Sequence, residues 1–404
     1  MRFIRTLEPV MVTRLSHIVS LISFSVLNLG AFTTAFANEI DANIDLRYRL
    51  ESVSQDNELK DGLASTLRSR LNLLVKPLDA WSVRVEVDNV TVLGGETYNS
   101  TANGHANYSV VADPSGTDVN QAWVRYSHGP GTFITAGRQQ VNHLNQRFIG
   151  GVGWRQNEQT FDGYRVQHQS EDALSYDIGH YHNVNRIFGP DGNAADEKGS
   201  FVAAVATWQL APEHQLGLFG YDFEFDNPQM RSSRTYGVDY RGAFAKYANL
   251  RWELTVAEQT EVDNTPNSFT HHYHRVALIW AAKPVTFTLG QERLAGDGVS
   301  AFQTPLATLH AFSGFADVFL TTPNNGLRDN WISASSAVFG GKWVATWHDF
   351  KSDAGAINYG NEWDLVGSYK LTARLNGLFK AARYDGEQHA VDTTKVWLMF
   401  QYKL

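Results

Sequence analysis

Arginine is the residue type through which this chain could do chemistry. Arg47, Arg49, Arg68, Arg70, Arg84, Arg125, Arg165, Arg251 and Arg374 fall on the charged side of alternating segments, and Arg138 stands where one such segment ends. Arg147 and Arg155 lie in the irregular stretch that follows it. A guanidinium stays charged at any physiological pH and binds carboxylates through paired, planar hydrogen bonds. Several along one passage could hand a polyanion from site to site, provided each site releases what it admits. Acidic residues share the same side: Asp45, Glu86, Asp88, Asp177, Asp239, Glu253, Glu362 and Asp364. Pairing across neighbouring strands would neutralise the arginines and leave a general pore. Both readings are open at this level.

The elements that must position these side chains are strands. From Ile40 the chain alternates strictly, with Ile40, Ala42, Ile44, Leu46, Tyr48 and Leu50 against Asp41, Asn43, Asp45, Arg47, Arg49 and Glu51. A period of two held this long suits a tilted transmembrane strand of ~9–11 residues. The pattern returns in Leu67–Val75, Trp81–Asp88, Tyr236–Arg241, Leu250–Val256 and Lys395–Leu404. Connections alternate in length. Short turns are expected at 77–80, 127–131, 170–173, 211–214, 245–248, 281–284, 339–342 and 371–373. Longer ones are expected at 52–62, 93–118, 140–159, 183–199, 226–233, 260–270, 294–330, 351–361 and 385–392. Outer-membrane barrels sort their loops this way, with short periplasmic turns and long external loops, and they use even strand numbers. The expected fold is all-β: a single transmembrane antiparallel β-barrel of about 18 strands. Trp81, Trp280, Trp343, Trp363 and Trp397 fall near strand ends, as an interfacial girdle requires.

The first 37 residues read as a cleaved signal peptide: basic Arg2, Arg5 and Arg14, an apolar core from Ile18 to Phe32, and Ala35-Phe36-Ala37 at the cleavage site. Met11 is an alternative start. The chain has no cysteine, so it has neither disulfides nor a thiolate metal site. Its 42 acidic and 34 basic residues, with no basic stripe, exclude nucleic acid as a partner. An enzyme is the rival class, but no G-x-S-x-G elbow activates a serine. The histidines at 271, 272 and 274 and the acidic stretch 191–196 lack the spacing of a committed metal site. No cofactor is implied.

Three motifs carry a family resemblance: Gly137-Arg138-Gln139, Arg147-Phe148-Ile149-Gly150, and Gly153-Trp154-Arg155-Gln156-Asn157 with Thr160-Phe161-Asp162-Gly163. A further block joins Thr304–Phe312 to Gly314-Phe315-Ala316-Asp317. Together they resemble the alginate-export family of Gram-negative outer-membrane porins. The resemblance implies passive diffusion of an anionic polysaccharide or oligosaccharide, alginate-like in its uronates, along an arginine-lined lumen. A general or anion-preferring porin is the alternative. Its surroundings would be outer-membrane lipid, and an exporter would also imply a periplasmic partner that the sequence does not identify. Loop 140–159 is expected to fold into the barrel mouth and present its arginines. Loop 294–330, with a compact apolar portion around 304–320, either narrows the pore or caps it from outside.

Overall fold

Alternating segments become strands because each can give one face to hydrocarbon and the other to an enclosed interior. In the computed structural model, residues 39–404 are described apart from 171–173, 245, 263, 264 and 267, so the expected signal peptide lies outside the described residues. The strands are β1 Glu39–Gln55, β2 Gly62–Leu78, β3 Trp81–Val92, β4 Gly116–Ser127, β5 Thr132–Gln139 and β6 Thr160–His168. Next come β7 Leu174–Asn185, β8 Asp196–Ala211, β9 His214–Phe225, β10 Ser233–Phe244, β11 Tyr247–Thr260 and β12 Thr270–Ala282. Last are β13 Val285–Leu294, β14 Leu327–Val338, β15 Gly341–Lys351, β16 Asn358–Lys370, β17 Leu375–Gly386 and β18 Thr393–Lys403.

Each strand pairs antiparallel with its sequence neighbours, and β1 pairs with both β2 and β18, so the sheet of 18 strands closes on itself. Closure is what permits a sheet to stand in lipid, where every unpaired backbone group costs several kcal/mol. The connections lie within the stretches expected of them, except that the turn expected at 170–173 begins one residue earlier, at Gln169, and the turn expected at 371–373 also takes in Arg374; the turns at 170–173 and 245–248 include residues outside the described set.

Side chains sort by parity. Val85, Val124, Ile134, Ile178, Leu218, Val276, Leu289 and Ile332 are exposed on the outer wall, while Arg47, Arg49, Arg68, Glu86, Asp239 and Glu362 are buried on the inner one. Above the outer apolar band, towards the long loops, runs a belt of outward charged pairs: Arg138–Asp162, Arg234–Asp222, and Arg293 and Arg328 on Asp353. A bulge in β4 turns both Asn120 and Gln121 inward, an exception the alternation did not announce. Trp81, Trp280 and Trp363 stand exposed on the outer wall, but Trp397 does not join them. It shares the inward parity of Lys395 and is fully buried among Trp154 and His310, so its place is in the lumen.

The interior is not an open tube. The connections 140–159 and 295–326 both fold inward and join through an isolated bridge between Ile149 and Leu306. Val141, Phe148 and Ile149 of the first and Phe302 and Leu306 of the second cluster with Phe219, Tyr221 and Tyr273 of the wall, while Phe319 of the second packs on Phe350, Tyr359 and Tyr384. Burying a side chain of Phe size contributes about 1.5–3 kcal/mol, so these rings offset much of the cost of ordering the loops.

Candidate functional site: an ionic lumen crossed by two loops

Loop 140–159 is held by the arginines of β1 and β2. Arg47 donates to Gln156 Oε1 at 3.1 Å, to the Gly153 carbonyl at 2.8 Å and to the Arg155 carbonyl, which commits its donors to the loop backbone. Arg49 donates to the Trp154 carbonyl, pairs with Glu51 at 2.6 Å and lies 4.2 Å over the Trp154 ring. Arg70 forks onto Asp88 with two bonds of 2.6 Å, and its third nitrogen reaches Glu158 of the loop at 2.9 Å. Arg68 stands 3.5 Å from Glu158 and 3.3 Å from Asp45. Glu158 also accepts from Asn120 and Gln140. Burial opposes its charge, yet Arg70, Arg68 and Arg47 hold its carboxyl below the ordinary range.

The loop arginines point at protein carboxylates. Arg147 forks onto Glu292 of β13 at 2.7 and 3.2 Å and donates to Thr304 at 2.9 Å. Arg155 bridges Glu51 of β1 and Asp317 of the second loop at 3.3 and 3.1 Å. Loop 140–159 therefore spans the lumen from β1 to β13.

The second loop is anchored on β16 to β18, the strands that adjoin β1 on the side away from β2. Glu362 and Asp364 of β16 accept the backbone N–H groups of Ala316 and Phe315 at 2.7 and 3.2 Å. Gly314, at φ +83°, permits this approach, because a Cβ there would collide with the Glu362 carboxylate. Asp317 takes Lys395 of β18 at 2.8 Å, and His310 Nδ1 donates to Asp317 at 2.6 Å. The other nitrogen of His310 accepts from Lys380 of β17 at 2.7 Å, and its ring stacks on Trp154. Burial pushes His310 down to about 3 against the pull of Asp317, with Lys380 adding to the push, so the ring is neutral. Asp317 is held well below the carboxylate range although burial opposes it, because His310, Lys395 and Arg155 all face it.

Of the remaining arginines expected in the lumen, Arg165 forks onto Asp177 and donates to the Gln140 carbonyl at 3.0 Å. Arg84 and Arg125 face neutral acceptors, Asn72 at 2.7 Å and Thr135 at 3.0 Å. Arg251 faces inward, and among the described residues no carboxylate lies within ion-pair distance of it. Two assignments need correction. Arg138 shares the parity of Ile134, pairs with Asp162 beside the exposed Tyr164, and donates to the Val119 carbonyl that β5 leaves free, so it sits on the outer wall. Arg374 lies in the turn between β16 and β17, not on the inner face of a strand.

Sequence reasoning overlooked the lysines. At the short-turn mouth an inner cavity of about 730 Å³ is lined by Lys342, Ser368, Lys370, Asn376, Gln401 and Lys403 among others. Lys342 and Lys370 have no carboxylate within ion-pair distance among the described residues, and Lys403 stands 3.7 Å from Asp45. The signal was available in their inward parity close to short turns, but a search for guanidinium passed over it.

A closed barrel of this size with a charged interior and an apolar exterior is a channel of the Gram-negative outer membrane. Solved structures agree on the fold. Acinetobacter baumannii OccAB4 superimposes with a TM-score of 0.70 at 13% identity, over 91% of this chain and 98% of that one. Pseudomonas aeruginosa OpdO matches with a TM-score of 0.70 at 14% identity, over 91% and 98%. Pseudomonas aeruginosa OpdK, solved with vanillate, gives a TM-score of 0.66 at 17% identity, over 90% and 98%. The comparison with curated proteins returned no match. The sequence profile described as alginate export matches residues 38–281, well over half of the chain, and the protein belongs to that family.

Proposed function

We propose that the protein conducts an anionic saccharide, a uronate polymer or its oligomers, by passive diffusion across the outer membrane. Long loops face the exterior and short turns the periplasm, as is general for such barrels. The observation that carries the reading is the set of inner-wall cations with no carboxylate partner among the described residues: Arg84 and Arg125 on neutral acceptors, and Arg251, Lys342 and Lys370. Cations of one sign lining a confined passage raise the local concentration of anions. No covalent step is invoked.

A second reading, a porin for small carboxylates, is favoured by the two loops that cross the lumen. The neighbour solved with vanillate fits that reading too. Single-channel conductance in the presence of alginate, pectate, vanillate and neutral oligosaccharides separates the two. Block by uronate oligomers alone supports the saccharide channel. Passage of vanillate without any uronate block supports the small-solute porin, and equal indifference to all four removes both.

A further inference from the structure

We infer that Glu158 is a tethered competitor occupying the station at which Arg68 and Arg70 would receive a carboxylate of the passing solute; this rests on the channel reading above. The geometry is that of a bound ligand. A carboxylate from a loop, not from the wall, stands 2.9 Å from Arg70 and 3.5 Å from Arg68, with the amides of Asn120 and Gln140 at its second oxygen. The wall's own acids are already committed, Asp88 to the fork of Arg70, Glu86 to Asn120 and Gln121 with Arg70 at 3.4 Å, and Asp45 to Arg68, Gln401 and Lys403. Yet the fully buried Arg68 keeps Nε and Nη1 without a hydrogen-bond acceptor, so the station holds more donors than Glu158 satisfies. A flat uronate carboxylate with neighbouring hydroxyls would supply the missing acceptors.

The exchange needs only a side-chain swing. Gln156 is fixed on Thr66 and Arg47, and Gln159 on Gly150 and Leu306, so the backbone on either side of Glu158 stays docked. One carboxylate leaves as another arrives, and the charge at the station does not change. The buried Arg68 and half-buried Arg70 without such a competitor would hold a polyanion too long, because conduction needs binding weak enough to permit departure. Glu158 thus sets the release rate, through a residue on the loop instead of on the pore wall.

The test uses the full-length protein in planar bilayers, with Glu158→Gln and Glu158→Ser as two independent neutral variants and Glu158→Asp as the charged control. Each is first checked for heat-modifiable migration. With tri-galacturonate as the probe, both neutral variants should show dwell times about tenfold longer than wild type, the worth of one charge-assisted contact. In a plain KCl gradient their reversal potential should move toward that of chloride, while Glu158→Asp stays near wild type. Unchanged dwell times and unchanged reversal potential in both neutral variants overturn the inference even where wild type is blocked by uronate. A chloride shift without uronate block in any form leaves Glu158 as an internal competitor for anions and removes the saccharide reading instead.

Discussion

The two halves of the lumen use the same residue type to opposite ends. In the half nearer the long loops, Arg47, Arg49, Arg68, Arg70, Arg147 and Arg155 are consumed by loop carbonyls and carboxylates. In the half nearer the short turns, Arg84, Arg125 and Arg251 stand with Lys342 and Lys370 and face no acid within ion-pair distance among the described residues. Inward-facing arginine is therefore not by itself a selectivity element. Above, it is mortar for two loops, apart from the Arg68 and Arg70 station that Glu158 occupies; below, Asp177 and Asp239 hold Arg165 and Arg241, and the field of the remaining cations reaches the solute.

The largest effect should come from removing the mortar's object. Gly296 and Gly326 abut at the base of the second loop, so replacing 297–325 by a two-glycine link preserves the barrel and should raise conductance several-fold. Wild-type conductance in that deletion would show that the loops do not limit the passage.

Next, Arg147→Gln and a Lys342→Gln/Lys370→Gln pair should diverge. The first strands Glu292 in a buried site and should cost about 3–5 kcal/mol in unfolding free energy. The second should leave stability within about 0.5 kcal/mol and lower the anion-to-cation permeability ratio. If the lysine pair destabilises while selectivity holds, the two halves have been misread.

Acidification gives a smaller effect with a definite sign. His310 is held near 3, against an ordinary value of 6.5, so the released loop binds the proton that the docked loop refuses. Its contribution to docking is complete above pH 6.5 and declines as pH falls from there toward 3. The depressed carboxyls of Glu158 and Asp317 act in the same direction, their contribution present above the ordinary carboxylate range and lost as pH falls through their lowered values. Open-channel noise should therefore grow between pH 7 and 4; a flat noise spectrum across that interval contradicts the anchoring described. The smallest effect is expected at Arg138→Gln, on the outer wall, where ion selectivity should not change.

Strand number, closure and the alternation of short and long connections were legible because the bilayer enforces a period of two and an even count. Both inward loops were legible as irregular stretches that carry Phe148, Ile149, Phe315 and Phe319, too apolar for solvent. What they would touch was not. Alternation states which side a residue faces, never which carboxylate from a distant loop will meet it, so the pairing of Arg155 with Asp317 and of Arg70 with Glu158 had no local signature. Arg138 was misassigned because its place at a strand end outweighed its parity: β5 keeps an unbroken register with β4 and β6, which sets Arg138 on the outward side with Ile134. Trp397 was misassigned because nearness to a strand end outweighed its parity.

The belt of outward charged pairs has a consequence for the bilayer itself. Arg138–Asp162, Arg234–Asp222 and the two arginines on Asp353 mark a waterline on the barrel, since hydrocarbon cannot rise over them without stripping solvent from ions. Below that line, Ile134, Leu289 and Ile332 must stay submerged. A membrane thicker than the band between this line and Trp81 and Trp280 would have to thin around the protein, so lipid chain length becomes a variable that tunes how comfortably it sits.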